Sequence, residues 1–156
     1  MRYDIVFGGR ENWAVAEDEF LPEHVRKYET VMGQGNGYMG MRAVTEEPYP
    51  LNVGVMCVAG TFDMMQTAIQ SKETLTNELP NCADLLSARI ELDGEALDLS
   101  DGDYNSYLRV LDLHNGLLMR SFVYRSDKGK DVSFKFERFV SLHDKHLAGQ
   151  RIRLCP

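Results

Sequence analysis

The sequence has little of what would staple, span or specialise a fold. Its three cysteines, Cys57, Cys82 and Cys155, are odd in number, widely spaced and without a Cys-x-x-Cys pair. That excludes a disulfide framework and predicts reduced thiols. No run approaches the roughly 18 apolar residues of a membrane span, and the opening MRYDIVFGGR lacks the basic start and apolar core of a secretory leader. The expected location is the cytoplasm, with no membrane partner. Basic residues are in deficit: 17 Lys and Arg against 24 Asp and Glu leave a net charge of −7. Phosphate backbones repel such a surface, and no basic stripe reverses the balance locally, so nucleic acid is excluded as a partner. Internal repeats, low-complexity segments and linkers are also absent. The 44% hydrophobic and 26% charged residues over 156 positions describe an ordinary globular chain, read as a single domain over 1–156. A chain of this length buries roughly 68 to 70% of its unfolded surface without staples.

What is present is concentrated first in GQGNGYMGMR, residues 33–42, which places Gly33, Gly35, Gly37 and Gly40 within eight residues. Glycine admits positive φ and close backbone approach, and Asn36 is the non-glycine residue best able to adopt the same region. A tight corner between two strands is the simplest reading. Gly35, Gly37 and Gly40 also satisfy Gly-x-Gly-x-x-Gly, but a dinucleotide site needs a helix to begin at the glycines. Here Met39 and Met41 alternate with Tyr38 and Arg42 before Pro48 and Pro50. That pattern is a strand followed by a breaker-rich loop.

Along the chain, Tyr3, Ile5 and Phe7 predict a short strand, and Trp13 with Val15 opens a second. LPEHVRKYE, residues 21–29, predicts one or two helical turns, with Pro22 at a tolerated first position. Tyr28–Met32 and Tyr38–Val44 are expected to flank the corner as strands. Val53–Val58 has the length of a doubly buried, central strand. Asp63–Glu73 reads as a loop with at most a helical turn. Leu86, Ala88, Ile90 and Leu92 alternate with polar residues up to Asp93-Gly94, a type I′ hairpin turn leading to Leu97 and Leu99. A second hairpin joins Leu111–Leu113 to Leu118–Tyr124 through His114-Asn115-Gly116. Ser126–Gly129 then turns into Val132, Phe134 and Phe136, and Ala148, Ile152 and Leu154 mark a last strand. Many short strands with no crossover helix predict an all-β, antiparallel sandwich.

Candidate chemistry is sparse. Glu46-Glu47, Asp101 with Asp103, and Asp18 with Glu19 are read as solvated charge, since neighbours on an extended strand face opposite ways. His143, Asp144 and His146 alone fall short of a metal set; the strongest metal case recruits His114 or His24 from elsewhere in the chain. No Gly-x-Ser-x-Gly elbow anchors a nucleophile. Trp13, Tyr38, Tyr104 and Tyr107 offer planes for a sugar but also fit core or rim packing. Arg42 and Arg109, set among apolar residues, require carboxylate or carbonyl partners, so internal salt bridges are expected. No catalytic, metal or substrate-binding residue is assigned.

YETVMGQGNGYMGMRAVTEE, residues 28–47, resembles the Gly-Asn-Gly-Tyr-(Leu/Met)-Gly-x-Arg signature of the family 65 glycoside hydrolases. Further agreement runs in order through Gly60–Asp63, Glu78–Asn81, Leu92–Glu95, Tyr107–Asp112, Gly116–Arg120 and Arg138–Leu142. Ala43 departs from a usual glycine and Cys82 from a usual tryptophan. The family comprises inverting phosphorylases of α-linked glucose disaccharides such as maltose, kojibiose, nigerose and trehalose. The resemblance implies the first part of an N-terminal super β-sandwich, similar to the galactose mutarotase fold, with Gly35, Asn36, Gly37, Tyr38, Gly40 and Arg42 as its structural motif. It also implies that the glutamate acid and the site for inorganic phosphate, the co-substrate, lie in a following α/α barrel. No cofactor is implied. Expected partners are that remainder of the polypeptide, its disaccharide, and further copies of the chain, recruited by an unpaired edge near Leu154. The alternative is a stand-alone sugar-binding or mutarotase-like enzyme, which needs a histidine such as His114 or His143 to converge with a glutamate.

Overall fold

The computed structural model describes residues 13–50, 54, 56–69 and 72–156. The strand expected at Tyr3–Phe7 lies outside them. Five strands form the main sheet: β1 (Ala14–Glu17), β9 (Asp103–Asp112), β10 (Leu117–Arg125), β11 (Asp131–Val140) and β12 (Ala148–Cys155), in that spatial order. Every pairing in it is antiparallel. The two hairpin turns form where Gly116 (φ 64°) and Gly129 (φ 74°) supply left-handed backbone. Asp112 Oδ1 fastens the first turn by accepting from the His114 and Asn115 N–H groups at 2.9 and 3.1 Å. The register shifts on β9 and β10 between Ser121 and Val123, beside Ser106 at φ 56°. The bulge sets Ser106 and Tyr107 against Phe122, with both rings buried.

Alternation decides which face is core. Tyr107, Phe122, Phe134 and Phe136 point the same way, and Phe20, Val25, Leu97 and Leu99 cover them. Phe122 stacks on Phe134 and Phe136 at centroid distances of 5.2 and 5.9 Å. Burying one such ring contributes about 1.5 to 3 kcal/mol.

The smaller elements depart more from expectation. A 3-10 turn (Pro22–His24) leads into α1 (Val25–Val31), so residues 28–31 are helical rather than a strand. Val25, Glu29 and Met32 fall at helical spacing and are all buried. β2 (Gln34–Gly35), β3 (Met39–Met41) and β4 (Met56–Val58) make a three-stranded sheet with β4 at its edge. The central strand expected at Val53–Val58 is thus corrected: among the described residues β4 pairs only with β3, and its apolar residues are partly exposed. The described residues of 63–73 are also not a loop. β5 (Asp63–Ile69) and β6 (Lys72–Glu78) form a regular hairpin, in which the β-branched Thr67, Thr74 and Thr76 outweigh the helical spacing of the methionines. The Asp93-Gly94 turn forms as expected, with φ of 56° and 96°, but it joins only β7 (Glu91–Leu92) and β8 (Glu95–Ala96).

Candidate functional site

The glycine corner is a strand corner, with Gly35 opposite Gly40 and Gln34 opposite Met41. Only Gly37 among its glycines has positive φ, at 83°. Asn36 does not take the left-handed region; it acts through its side chain. Its Oδ1 accepts from the Tyr38 and Met39 N–H groups at 3.0 and 2.9 Å, closing the turn. Its Nδ2 donates to the carbonyls of Ser141 and Lys145 at 2.7 and 3.0 Å, tying the corner to the loop between β11 and β12. Tyr38 lies against His146 in that loop, with ring centroids 4.4 Å apart. Gly40 sits inside β3, so no helix starts at the glycines and a dinucleotide site is ruled out. Arg42 reaches back to Glu29 at 3.2 Å, the internal salt bridge expected of it.

Beyond Arg42 the chain runs across the buried face of the main sheet, held by three arginines from three adjacent strands. Arg109 on β9 donates to the Ala43 carbonyl, and Arg138 on β11 donates to that of Val44 at 2.9 Å. Arg120 on β10 donates through Nη1 to Glu47 at 2.6 Å and through Nη2 to Glu46 at 2.8 Å. Arg109 also faces Glu17 of β1 at 3.6 Å, and the Tyr107 hydroxyl donates to the same carboxylate at 3.2 Å. Glu46 and Glu47 are each only 3% exposed, which corrects their reading as solvated charge. The backbone bends at both residues, so the opposite-face rule for extended strands does not apply and both carboxylates meet one guanidinium.

Three glutamates thus face three arginines, and the fields they create decide each proton. Burial pushes the Glu46 carboxyl up, but Arg120 and Arg138 outweigh it and hold the group below the usual carboxylate range. Burial likewise pulls Arg120 down, and Glu47 with Glu46 more than reverses this. At Glu17 burial wins over Arg109 and Tyr107, and the carboxyl is raised. Tyr107 is raised by burial. The arrangement is a clamp: charges neutralised in place, packed under the phenylalanine rings, with Arg120 4.4 Å from the Phe136 ring centre.

The remaining candidates are dispersed. Asp18, Glu19, Asp101 and Asp103 are exposed, as expected. Tyr107 is core and Tyr104 packs at its margin, donating to the Phe20 carbonyl at 3.2 Å. Trp13, 54% exposed, meets His114 edge to face at 6.2 Å. His114 and His143 line one depression of about 520 Å³ at the turn end of the sheet, and among the described residues no Asp or Glu lines it with them. His24 lies elsewhere, against Tyr28. Among the described residues no group of three or more His, Cys, Asp or Glu could hold a metal ion. The cysteines are free. No described helix is long and apolar enough to cross a membrane.

The family model for glycosyl hydrolase family 65, N-terminal domain, matches residues 15–156. The chain belongs to this family. It is 39% identical over 154 residues to a kojibiose phosphorylase of Halothermothrix orenii, covering 99% of this chain and 19% of the relative. A kojibiose phosphorylase of Escherichia coli is 32% identical over 142 residues, covering 91% and 18%. An α,α-trehalose phosphorylase of Thermoanaerobacter brockii is 30% identical over 154 residues, covering 94% and 20%. A solved human-microbiome protein, provisionally named a kojibiose phosphorylase, superposes with a TM-score of 0.85 at 23% identity, over 92% of this chain and 20% of its own. That likeness establishes the fold. The chain spans about a fifth of the length of the curated relatives it matches.

Within this family 65 N-terminal fold, the signature segment reads as structure. Ala43, Val44, Glu46 and Glu47 are its anchor points on the sheet, while Asn36 holds the loop between β11 and β12 and Arg42 holds Glu29 of α1. Arg120 and Arg138 were missed as partners, although each stands inside an apolar strand. Three arginines in such settings demand carboxylates, and that demand was the available signal.

Proposed function

We propose that this region is the non-catalytic N-terminal β-sandwich portion of an inverting α-glucoside phosphorylase. In such an enzyme the disaccharide, inorganic phosphate and the acid that protonates the glycosidic oxygen meet elsewhere in the polypeptide. The supporting observation is that the chain matches only 18 to 20% of phosphorylases named for kojibiose and for trehalose. The site geometry agrees with this. Glu46 and Glu47 of the clamp are paired with Arg120, and Glu17 is buried against Arg109 and the Tyr107 hydroxyl, whereas glycosidic cleavage needs an acid held protonated beside the sugar. The proposal includes a cytoplasmic location, contact with the remainder of a phosphorylase-length polypeptide, and assembly with further copies. A stand-alone mutarotase-like activity finds no support at the His114 and His143 depression, whose described lining residues include no glutamate.

The test is phosphate-dependent release of β-glucose 1-phosphate from kojibiose, trehalose, maltose and nigerose by the 156-residue chain. No release above a buffer blank is expected. Turnover that a substitution within the chain abolishes overturns the proposal.

A further inference from the structure

On β11, Glu137 and Phe139 alternate with Phe136 and Arg138 and so point away from the phenylalanine core. The register sets Phe139 between Leu117 of β10 and Gly149 of β12, and Glu137 between Met119 and Arg151. A Cβ on Gly149 would lie 2.5 and 2.8 Å from Cε1 and Cζ of Phe139, so the ring occupies space that only glycine leaves open. The ring is nevertheless 39% exposed. Glu137, beside it on the same face, is only 8% exposed. Arg151 donates to Glu137 through Nε at 2.6 Å and pairs with it through Nη2, while Lys135 reaches its other oxygen at 3.2 Å. Burial pushes the Glu137 carboxyl up, but Arg151 and Lys135 outweigh this and hold it below the usual carboxylate range.

Leu117, Glu137, Phe139, Gly149, Gln150 and Arg151 line one depression of about 330 Å³. Small-molecule sites span about 300 to 1,000 Å³ and combine an apolar wall with a few placed polar groups. A carboxylate has about four acceptor sites and a guanidinium five N–H donors, so Glu137 and Arg151 keep capacity for a ligand after pairing with each other. An anion placed there meets the carboxylate, and a cation meets the guanidinium and Lys135. A hydroxyl, which both donates and accepts, suits the pair. Strand neighbours two residues apart are separated by roughly 7 Å, so a six-membered ring lying against Phe139 brings its edge hydroxyls to Glu137 and Arg151.

We propose that this depression binds a neutral pyranoside, with its C–H face on Phe139 and its hydroxyls shared between Glu137 and Arg151. An aromatic ring offers the apolar plane that such a face needs. The larger depression with His114 and His143 shares Leu117 and Phe139 with this one, which leaves room for a second sugar unit. The site goes beyond the phosphorylase reading, on which only the choice of glucosides as probes rests. It is read by binding, so release of glucose 1-phosphate and occupancy of this site succeed or fail separately.

Titration of the 156-residue chain with methyl α-glucoside, kojibiose and trehalose, followed by amide proton–nitrogen NMR, decides it. Saturable shifts are expected at Glu137, Gly149 and Arg151. Phe139→Ala should weaken binding by about tenfold or more, and Arg151→Met by about fivefold. Arg125→Met, which removes an exposed arginine paired with Asp131 instead, should leave it unchanged. Sorbitol, which has the hydroxyls without the ring, and inorganic phosphate should not shift the same amides. Melting temperatures recorded alongside show that each variant is folded. No saturable shift, binding indifferent to Phe139→Ala in a folded variant, or equal shifts with sorbitol or phosphate each overturns the proposal.

Discussion

Replacing Arg120 with Met is the sharpest test of the clamp. Methionine keeps the apolar stem under the phenylalanine rings and removes the guanidinium that both Glu46 and Glu47 accept from. The three side chains are 2%, 4% and 3% exposed, so water cannot replace the lost donors. Glu46 keeps Arg138 only at 3.7 Å, beyond hydrogen-bond reach. Breaking a buried pair by removing one partner costs roughly 3 to 5 kcal/mol. For a domain of this size each kcal/mol lowers the midpoint by about 2 to 4 °C, so a fall of roughly 6 to 20 °C is expected. Thermal melts followed by circular dichroism, with urea titrations at one temperature, measure it. The clamp is not perfectly satisfied: Arg120 Nε and Arg138 Nη1 are buried without a hydrogen-bond acceptor. Neutralising it as a unit, by Arg120→Met with Glu46→Gln and Glu47→Gln, should therefore recover more than half of the loss. A single-variant loss below about 1 kcal/mol, or a triple variant no more stable than the single, would refute the view that these charges hold the segment to the sheet.

Two further outcomes follow from the geometry. Gly37→Val meets no atom within 4 Å at its added Cβ, so its effect is backbone strain at φ 83° alone. A loss of roughly 1 to 3 kcal/mol is expected, and an unchanged melting temperature contradicts it. For pH, the Glu46 carboxyl is held below its unfolded value of 4.5, so its stabilisation is complete above pH 4.5 and is lost as pH falls through the folded value. Glu17 has the opposite sign: its contribution is present below 4.5 and is lost as pH rises through its raised folded value. Urea midpoints measured between about pH 3 and pH 7 should fall on acidification, less steeply for Glu46→Gln and more steeply for Glu17→Gln.

Local chemistry that repeats over several residues was legible without coordinates. The alternation of Val132, Phe134 and Phe136, the Asp93-Gly94 turn and the His114–Gly116 turn each define their own geometry, and the strands or turns formed where expected. The family signature was likewise readable as a run of residues. Where two local preferences competed, the reading failed. Met64, Met65, Ala68 and Ile69 are spaced for a helix yet lie in β5, because they pair in register with Asn77, Thr76, Glu73 and Lys72 of β6, which no window along β5 alone includes. Tyr28–Val31 alternates like a strand yet completes a helix whose buried side is set by Val25 and Glu29.

The sequence by itself determined an antiparallel β chain, the places of its main hairpins and its membership in a family. Only the tertiary structure decided what the signature residues do. Glu46 and Glu47 look like surface charge because burial is a property of what packs over a residue, and their partner Arg120 is more than 70 positions away. Arg109, Arg120 and Arg138 come together because three strands place the same face side by side in register. Charge pairs over such separations carry no periodicity along the chain, so they exist as a site only once the sheet has formed.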